Sequence, residues 1–206
     1  MESLKRLEDI QVPDERNLYY SSPTREGRIT IEDRFAQISA ITPNSTAPED
    51  VRSYFATLQN ICLYAWFSYD FYAVVVFLSF TLVEMALKLR FPIKGKDTRT
   101  LKPLLEKAIR SKLISEKSFS HIRRIRQQRA EELWLYRKLD AIKKSSLPKN
   151  DYMRILVKSL PKLRNALAHP RGHAINLPAE AIFNLQFAAD FINQIFPQAQ
   201  APKSRT

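Results

Sequence analysis

Apolar residues recur at three- and four-residue spacing along most of the chain, which is the pattern of helices with one buried face. A first helix is predicted to begin at Pro48. Its inward residues are predicted to be Val51, Phe55, Leu58, Cys62 and Trp66. A second helix over residues 72–89 is apolar nearly all round, as expected of the central helix of a bundle. The last predicted helix covers residues 178–196. Its inward residues are predicted to be Ile182, Leu185, Ala189, Ile192 and Phe196.

Weaker patterns fill the rest of the chain. Residues 100–113 are predicted to form a short helix, and residues 118–144 one or two basic amphipathic helices. Residues 151–169 are predicted to be helical, with a kink or an interruption at Pro161, whose ring clashes with the preceding turn. Residues 1–46 combine charges, prolines and small polar residues with little helical periodicity, so we expect an irregular extension there.

These elements predict an all-α protein: an up-and-down bundle of four to five main helices in residues 47–197. Residues 92–147 form a basic helical insertion in this scheme, residues 1–46 an N-terminal extension, and residues 198–206 a loose tail. The chain has only three glycines, which also favours helices, because tight β-hairpins depend on glycine at positive φ.

A membrane span is the alternative for the most apolar stretch, residues 61–83. Asp70 interrupts it, and the uncharged run over residues 71–83 has 13 residues, short of the ~20 that cross a bilayer. We therefore expect two buried helices that meet near Asp70, without integral membrane association. The single cysteine, Cys62, excludes a disulfide within the chain. Residues 1–6 lack the apolar run of a signal peptide, so a cytoplasmic location is expected.

The formal charge of +12 is unevenly distributed. Residues 1–50 carry ten acids and six bases, which leaves 27 bases and 11 acids for residues 51–206. Such a basic body attracts polyanions such as nucleic acid or an anionic membrane surface, although a solvated basic face without a partner has the same composition. Residues 118–144 alone hold eight bases and three acids. The candidate RNA-backbone contacts in this segment are Arg123, Arg124, Arg126 and Arg129.

The polar residues that close an otherwise apolar helix are the candidate chemical site: Arg164, Asn165 and His169, before Pro170. Asn165 and His169 are four residues apart and share a helix face. These residue types suit RNA cleavage by the ribose 2′-hydroxyl without a metal. A histidine moves protons, a guanidinium stabilises the phosphorane, and an amide orients either. One chain supplies one histidine here, so a symmetric dimer would complete a two-base site. Alternatively, these basic groups only cap the last helical carbonyls.

The spacing Arg164-Asn165-x-x-x-His169 resembles the Arg-x4–6-His signature of HEPN domains. The helix order over residues 48–196 is also similar, and Glu84 resembles an acidic position common in the family. The resemblance implies a four- or five-helix bundle that dimerises with its two motifs facing each other. Many members are metal-independent ribonucleases that act as toxins, in antiviral defence or in RNA processing, so no metal or other cofactor is expected.

By residue match, Arg164 would stabilise the phosphate, His169 would act as acid or base, and Asn165 would orient one of them. Some toxin members carry a tyrosine two residues after the histidine; Arg171 stands there and becomes a further candidate RNA contact. A regulatory protein partner remains open. The alternative function is a non-catalytic module that binds RNA, a nucleotide or a protein. His121 and His173 are expected to be surface residues, since no metal-ligand spacing surrounds them.

Overall fold

A computed structural model of the protein describes residues 4–21, 26–92, 100–125, 127, 152–169 and 177–198. Within these ranges the chain is all-α, as predicted. The helices are α1 (Ile31–Ser39), α2 (Glu49–Tyr64), α3 (Phe71–Arg90), α4 (Leu101–Arg110), α5 (residues 120–125 and 127), α6 (Tyr152–Ala168) and α7 (Pro178–Ile195). The β-bridge between Ser21 and Arg28 is isolated, and no described segment forms a named strand.

Helix α3 is the centre of the bundle. Helices α2, α4, α6 and α7 all pack against it, which explains why its sequence is apolar on nearly every side. Its fully buried residues include Val75, Leu82, Val83 and Leu87. Each such side chain contributes roughly 1.5–3 kcal/mol relative to an exposed position. Helix α6 is held against α3 by this packing, and its buried residues are Leu156 and Leu160.

The helix ends follow local chemistry. Helix α2 begins directly after Pro48, with two acids at the positive end of its dipole. A capping box begins α1: the Thr30 hydroxyl accepts from the backbone N–H of Asp33, and the Asp33 carboxylate accepts from the N–H of Thr30. Of the two predictions for Pro161, a kink or an interruption, the interruption is wrong, because α6 continues through this residue.

Two segments differ from the sequence-based expectation. The prediction of an irregular N-terminal extension is wrong for residues 31–39, which form α1. Ile38 of this helix is buried in the main core. Part of the predicted insertion also belongs to the core, because α4 buries one apolar face in it. That face consists of Leu101, Leu104, Leu105 and Ala108.

The chain before α1 fastens the corner between α2 and α3. Asn17 is fully buried there, and its amide donates to the carbonyls of Ala65 (3.0 Å) and Trp66 (3.1 Å). The Tyr72 hydroxyl donates to the side-chain oxygen Oδ1 of Asn17 at 3.0 Å, and the backbone N–H of Asp14 donates to the backbone carbonyl of Trp66 at 2.9 Å. Carbonyls that follow a helix lack helical partners, and this N-terminal segment supplies them.

In the described part of the chain, α3 is long and apolar enough to cross a membrane by length and composition. Half of its most apolar window is buried inside the protein. The central helix of a bundle meets the same criterion, because it too must be apolar on all sides.

Candidate functional site

The predicted motif lies at the C-terminal end of α6. Leu156 and Leu160 anchor this helix in the core. Its hydrogen bonding extends to the motif's last residue, since the backbone N–H of His169 donates to the Asn165 carbonyl at 3.0 Å. Arg164 comes four residues after Leu160 and therefore lies on the inner side of α6, towards α3.

Arg164 joins the motif to the end of α3. Its Nε lies 3.3 Å from Glu84 Oε2, with the Glu84 side chain 13% and the Arg164 side chain 33% exposed. This Nε is buried and makes no hydrogen bond, so the contact is an ion pair with poor hydrogen-bond direction. The other Glu84 oxygen pairs with Lys88 Nζ at 2.6 Å. Arg164 Nη1 also donates to Asn165 Oδ1 at 3.4 Å. The structure thus brings together Glu84, Arg164 and Asn165.

His169 is separate from that group. Its side chain is exposed and makes no hydrogen bond or ion pair with a described residue. Asn165 is also exposed, and the same outer face of α6 carries Ile155, which is 54% exposed, and Lys162. This face therefore presents an imidazole, an amide, a lysine and apolar surface to whatever binds there.

The candidate RNA contacts fall partly within the described chain. Arg123 and Arg124 are exposed on α5 and add positive charge to the surface there. The remaining candidates, like His173, lie outside the described residues. Those candidates are Arg126, Arg129 and Arg171.

His121 was expected at the surface, and it is half-buried there in a cluster of aromatic rings. Its ring lies 5.0 Å from the Phe183 ring, 5.3 Å from Tyr152 and 5.6 Å from Phe119, measured between centroids. Burial among these rings lowers the pKa of His121, and the charge of Asp190 partly opposes that shift. Helical periodicity did not predict this ring cluster, because its members come from three different segments of the chain and meet only where α5, α6 and α7 pack together.

No group of three or more histidine, cysteine, aspartate or glutamate side chains suited to a metal ion occurs among the described residues. The only cysteine, Cys62, is buried in the core, and burial raises the pKa of its thiol to about 12, so it is a poor ligand or nucleophile there. The candidate chemistry thus rests on the α6 motif and the basic groups of α5. Comparison with known proteins found no matching family model, curated protein or solved structure.

Proposed function

We propose that this protein is a metal-independent endoribonuclease of the HEPN type that acts as a homodimer on RNA. The observation that supports it most directly is the Glu84–Arg164 ion pair, which joins the acid and the arginine that the resemblance assigns to one site. That pair holds the guanidinium near Asn165, while His169 at the helix end stays accessible to a substrate.

In this proposal the ribose 2′-oxygen attacks the adjacent phosphorus and the bond from phosphorus to the 5′-oxygen breaks. One His169 takes the proton from the 2′-hydroxyl, and His169 of the second copy gives a proton to the departing 5′-oxygen. Arg164 stabilises the negative charge on the phosphorane, and Asn165 orients Arg164 through their contact. The products are a 2′,3′-cyclic phosphate and a 5′-hydroxyl.

The second copy would cover the outer face of α6, where Ile155 is 54% exposed. Apolar side chains of this size gain free energy when a partner removes them from water. A two-fold axis near this face would bring the two His169 side chains towards each other. Arg123 and Arg124 on α5 would hold the RNA backbone without reading its sequence.

One observation favours the alternative, a non-catalytic module that binds RNA, a nucleotide or a protein partner. Arg164 is engaged with Glu84, which is the arrangement expected if its role is to fasten α6 to α3. In that case the outer face of α6 would serve only to bind. The two functions differ in one respect that is directly measurable, which is whether His169 is needed for RNA to be cut.

The test is RNA cleavage in EDTA by the wild type and by His169→Ala, with the product ends identified. We expect wild-type cleavage that leaves 2′,3′-cyclic phosphates, and a loss of about 10²–10⁴-fold in the variant, as for removal of a general acid or base. Circular dichroism and size-exclusion chromatography establish that the variant folds. Equal inactivity of both proteins would contradict the ribonuclease proposal and favour the binding module.

Arg164→Gln tests the same site while leaving His169 unchanged. Arg90→Gln is its matched control. Arg90 is an exposed arginine at the end of α3 that forms no ion pair with a described residue. We expect Arg164→Gln to lose roughly 10²–10³-fold in cleavage, the usual effect of removing one electrostatic stabiliser. Arg90→Gln should cut RNA at nearly the wild-type rate.

A further inference from the structure

Arg34 on α1 is a buried cation that has no counter-ion in the described part of the chain. Only 6% of the surface of Arg34 is exposed to solvent. Among the described residues, no carboxylate lies within ion-pair distance of its guanidinium. Nη1 donates to Gln37 Oε1 at 3.1 Å, and Nε is buried with no hydrogen-bond partner. The guanidinium carbon is 6.0 Å from the centre of the Tyr20 ring. A buried charge is costly unless it is paired, so this arginine lacks a partner that its environment calls for.

Arg34 borders a cleft of about 560 Å³ between α1, α5 and α7. Such a volume lies within the usual range for small-molecule sites, about 300–1,000 Å³. Arg124 and His121 line the cleft from α5, and Gln37 and Gln186 add amide groups from α1 and α7. No aspartate or glutamate is among its described lining residues, so the cleft carries an excess of positive charge.

Asp190 on α7 makes no ion pair with the arginines of the cleft. Asp190 accepts hydrogen bonds from the backbone N–H of Ser120 at 2.7 Å and from Gln186 Nε2 at 2.9 Å. Both carboxylate oxygens are therefore occupied: Oδ2 holds the start of α5 against α7, and Oδ1 accepts from a side chain of α7 itself. Arg34 makes no ion pair with Asp190, and its charge remains available to an anion from outside the chain.

We propose that this cleft binds a small organic phosphate of nucleotide size. The phosphate would lie on Arg34 and Arg124, because two guanidinium groups suit the geometry and the double charge of a phosphate monoester. The organic part would pack against the apolar side of the cleft, formed by Ile29, Ile182 and Phe183. This site is separate from the α6 motif, and the proposal stands whether or not the protein cleaves RNA.

The binding test is isothermal titration calorimetry of the full chain with four probes: adenosine 5′-monophosphate, adenosine, inorganic phosphate and citrate. We expect the nucleotide to bind most tightly, inorganic phosphate more weakly, and adenosine not at all at millimolar concentration. That order would show that both the phosphate and the organic body contribute. Citrate binding as tightly as the nucleotide would overturn the assignment to a phosphate.

Three variants locate the site. Arg34→Met should lower the affinity for adenosine 5′-monophosphate by tenfold or more, since a charge-assisted hydrogen bond is lost. Arg124→Gln, on the exposed rim of the same cleft, should lower it severalfold. Arg123→Gln is the matched control, because Arg123 is the neighbouring exposed arginine of α5 but does not line the cleft. Its affinity should remain within about twofold of the wild type.

Three results would overturn the proposal. One is the absence of any binding of the nucleotide or of inorganic phosphate at millimolar concentration. Another is an equal loss of affinity in Arg123→Gln and Arg124→Gln, which would indicate general attraction to a basic surface. The third is unchanged affinity in a folded Arg34→Met. If that variant does not fold, Arg124→Gln against its control decides the same question.

Discussion

Arg34 and Arg164 each have a buried Nε without a hydrogen bond, yet the protein treats their charges differently. Arg164 lies at the bundle surface and pairs with Glu84, whose other oxygen also holds Lys88. Arg34 is more deeply buried and forms no ion pair with an acid of the described chain. A compensated arginine fastens two helices, whereas a buried arginine without an acid reduces stability. The two regions therefore make opposite predictions for variants that remove charge.

The largest expected effect concerns the core that both regions share. Phe119 is fully buried, stacks on Phe187 with centroids 5.4 Å apart, and contacts Tyr152 at the start of α6 at 5.5 Å. Phe119→Ala should lower the free energy of unfolding by roughly 3–5 kcal/mol, through lost burial and a cavity. Urea denaturation followed by circular dichroism measures this. Leu177→Ala, at an exposed leucine before α7, should change it by less than about 0.5 kcal/mol.

The second prediction separates the two arginines directly. Arg34→Met in phosphate-free buffer should raise the free energy of unfolding by roughly 1–3 kcal/mol, because an apolar chain of similar length replaces an unpaired buried charge. Urea denaturation in a neutral, non-phosphate buffer gives the value. A loss of stability instead would mean that the contacts of Arg34 with Gln37 and Tyr20 outweigh the cost of burying it.

The third prediction has the opposite sign and a smaller size. Glu84→Gln should lower the free energy of unfolding by roughly 0.5–1 kcal/mol, since Arg164 and Lys88 lose their shared acid and are both partly solvated. The loss should shrink in 1 M NaCl, which screens such pairs. Glu106→Gln on α4 is the matched control, because Glu106 forms no ion pair with a described residue. If Glu84→Gln and Glu106→Gln lose the same free energy of unfolding, Glu84 does not stabilise the protein through its ion pairs.

The smallest expected effect is a dependence of the protein's stability on pH, caused by His121 in the cleft. Burial lowers the pKa of His121 below its ordinary value of 6.5, so the unfolded chain binds a proton more readily than the folded protein. The stability associated with His121 is present above pH 6.5 and declines as the pH falls below that value. The Asp190 charge on α7 opposes this loss, whereas Arg34 on α1 and Arg124 on α5 line the same cleft and add positive charge.

His121→Phe keeps a ring in the aromatic cluster and removes the titrating group. The Tm measured between pH 7.5 and 5 should therefore fall less steeply with acidification in this variant than in the wild type. Identical slopes in the two proteins would assign the acid sensitivity to other groups.

Sequence periodicity predicted α3 and α7 to within two residues at each end, and the start of α2, because each of these helices buries a long apolar stripe. It missed α1, whose buried face includes Arg34 beside Ile38, so that a charged residue interrupts the apolar pattern. The capping pair Thr30 and Asp33 was the signal that could have found it.

The candidate site was predictable only in part. Positions within α6 follow from local spacing, and Glu84 was suggested by the resemblance, but the Glu84–Arg164 pairing depends on how α3 packs on α6. The cleft could not be predicted, because α1, α5 and α7 are far apart in sequence and meet only in the folded protein. No local pattern indicates that a particular arginine will lack an acid.

The fastening of the α2–α3 corner has a consequence for synthesis on the ribosome. Asn17 is translated 55 residues before Tyr72, its hydrogen-bond partner. At about 5–20 residues per second, that interval lasts several seconds. During this time the segment before α1 has no completed corner to bind. Translation order and folding order therefore differ here: an early part of the chain must wait for a later one.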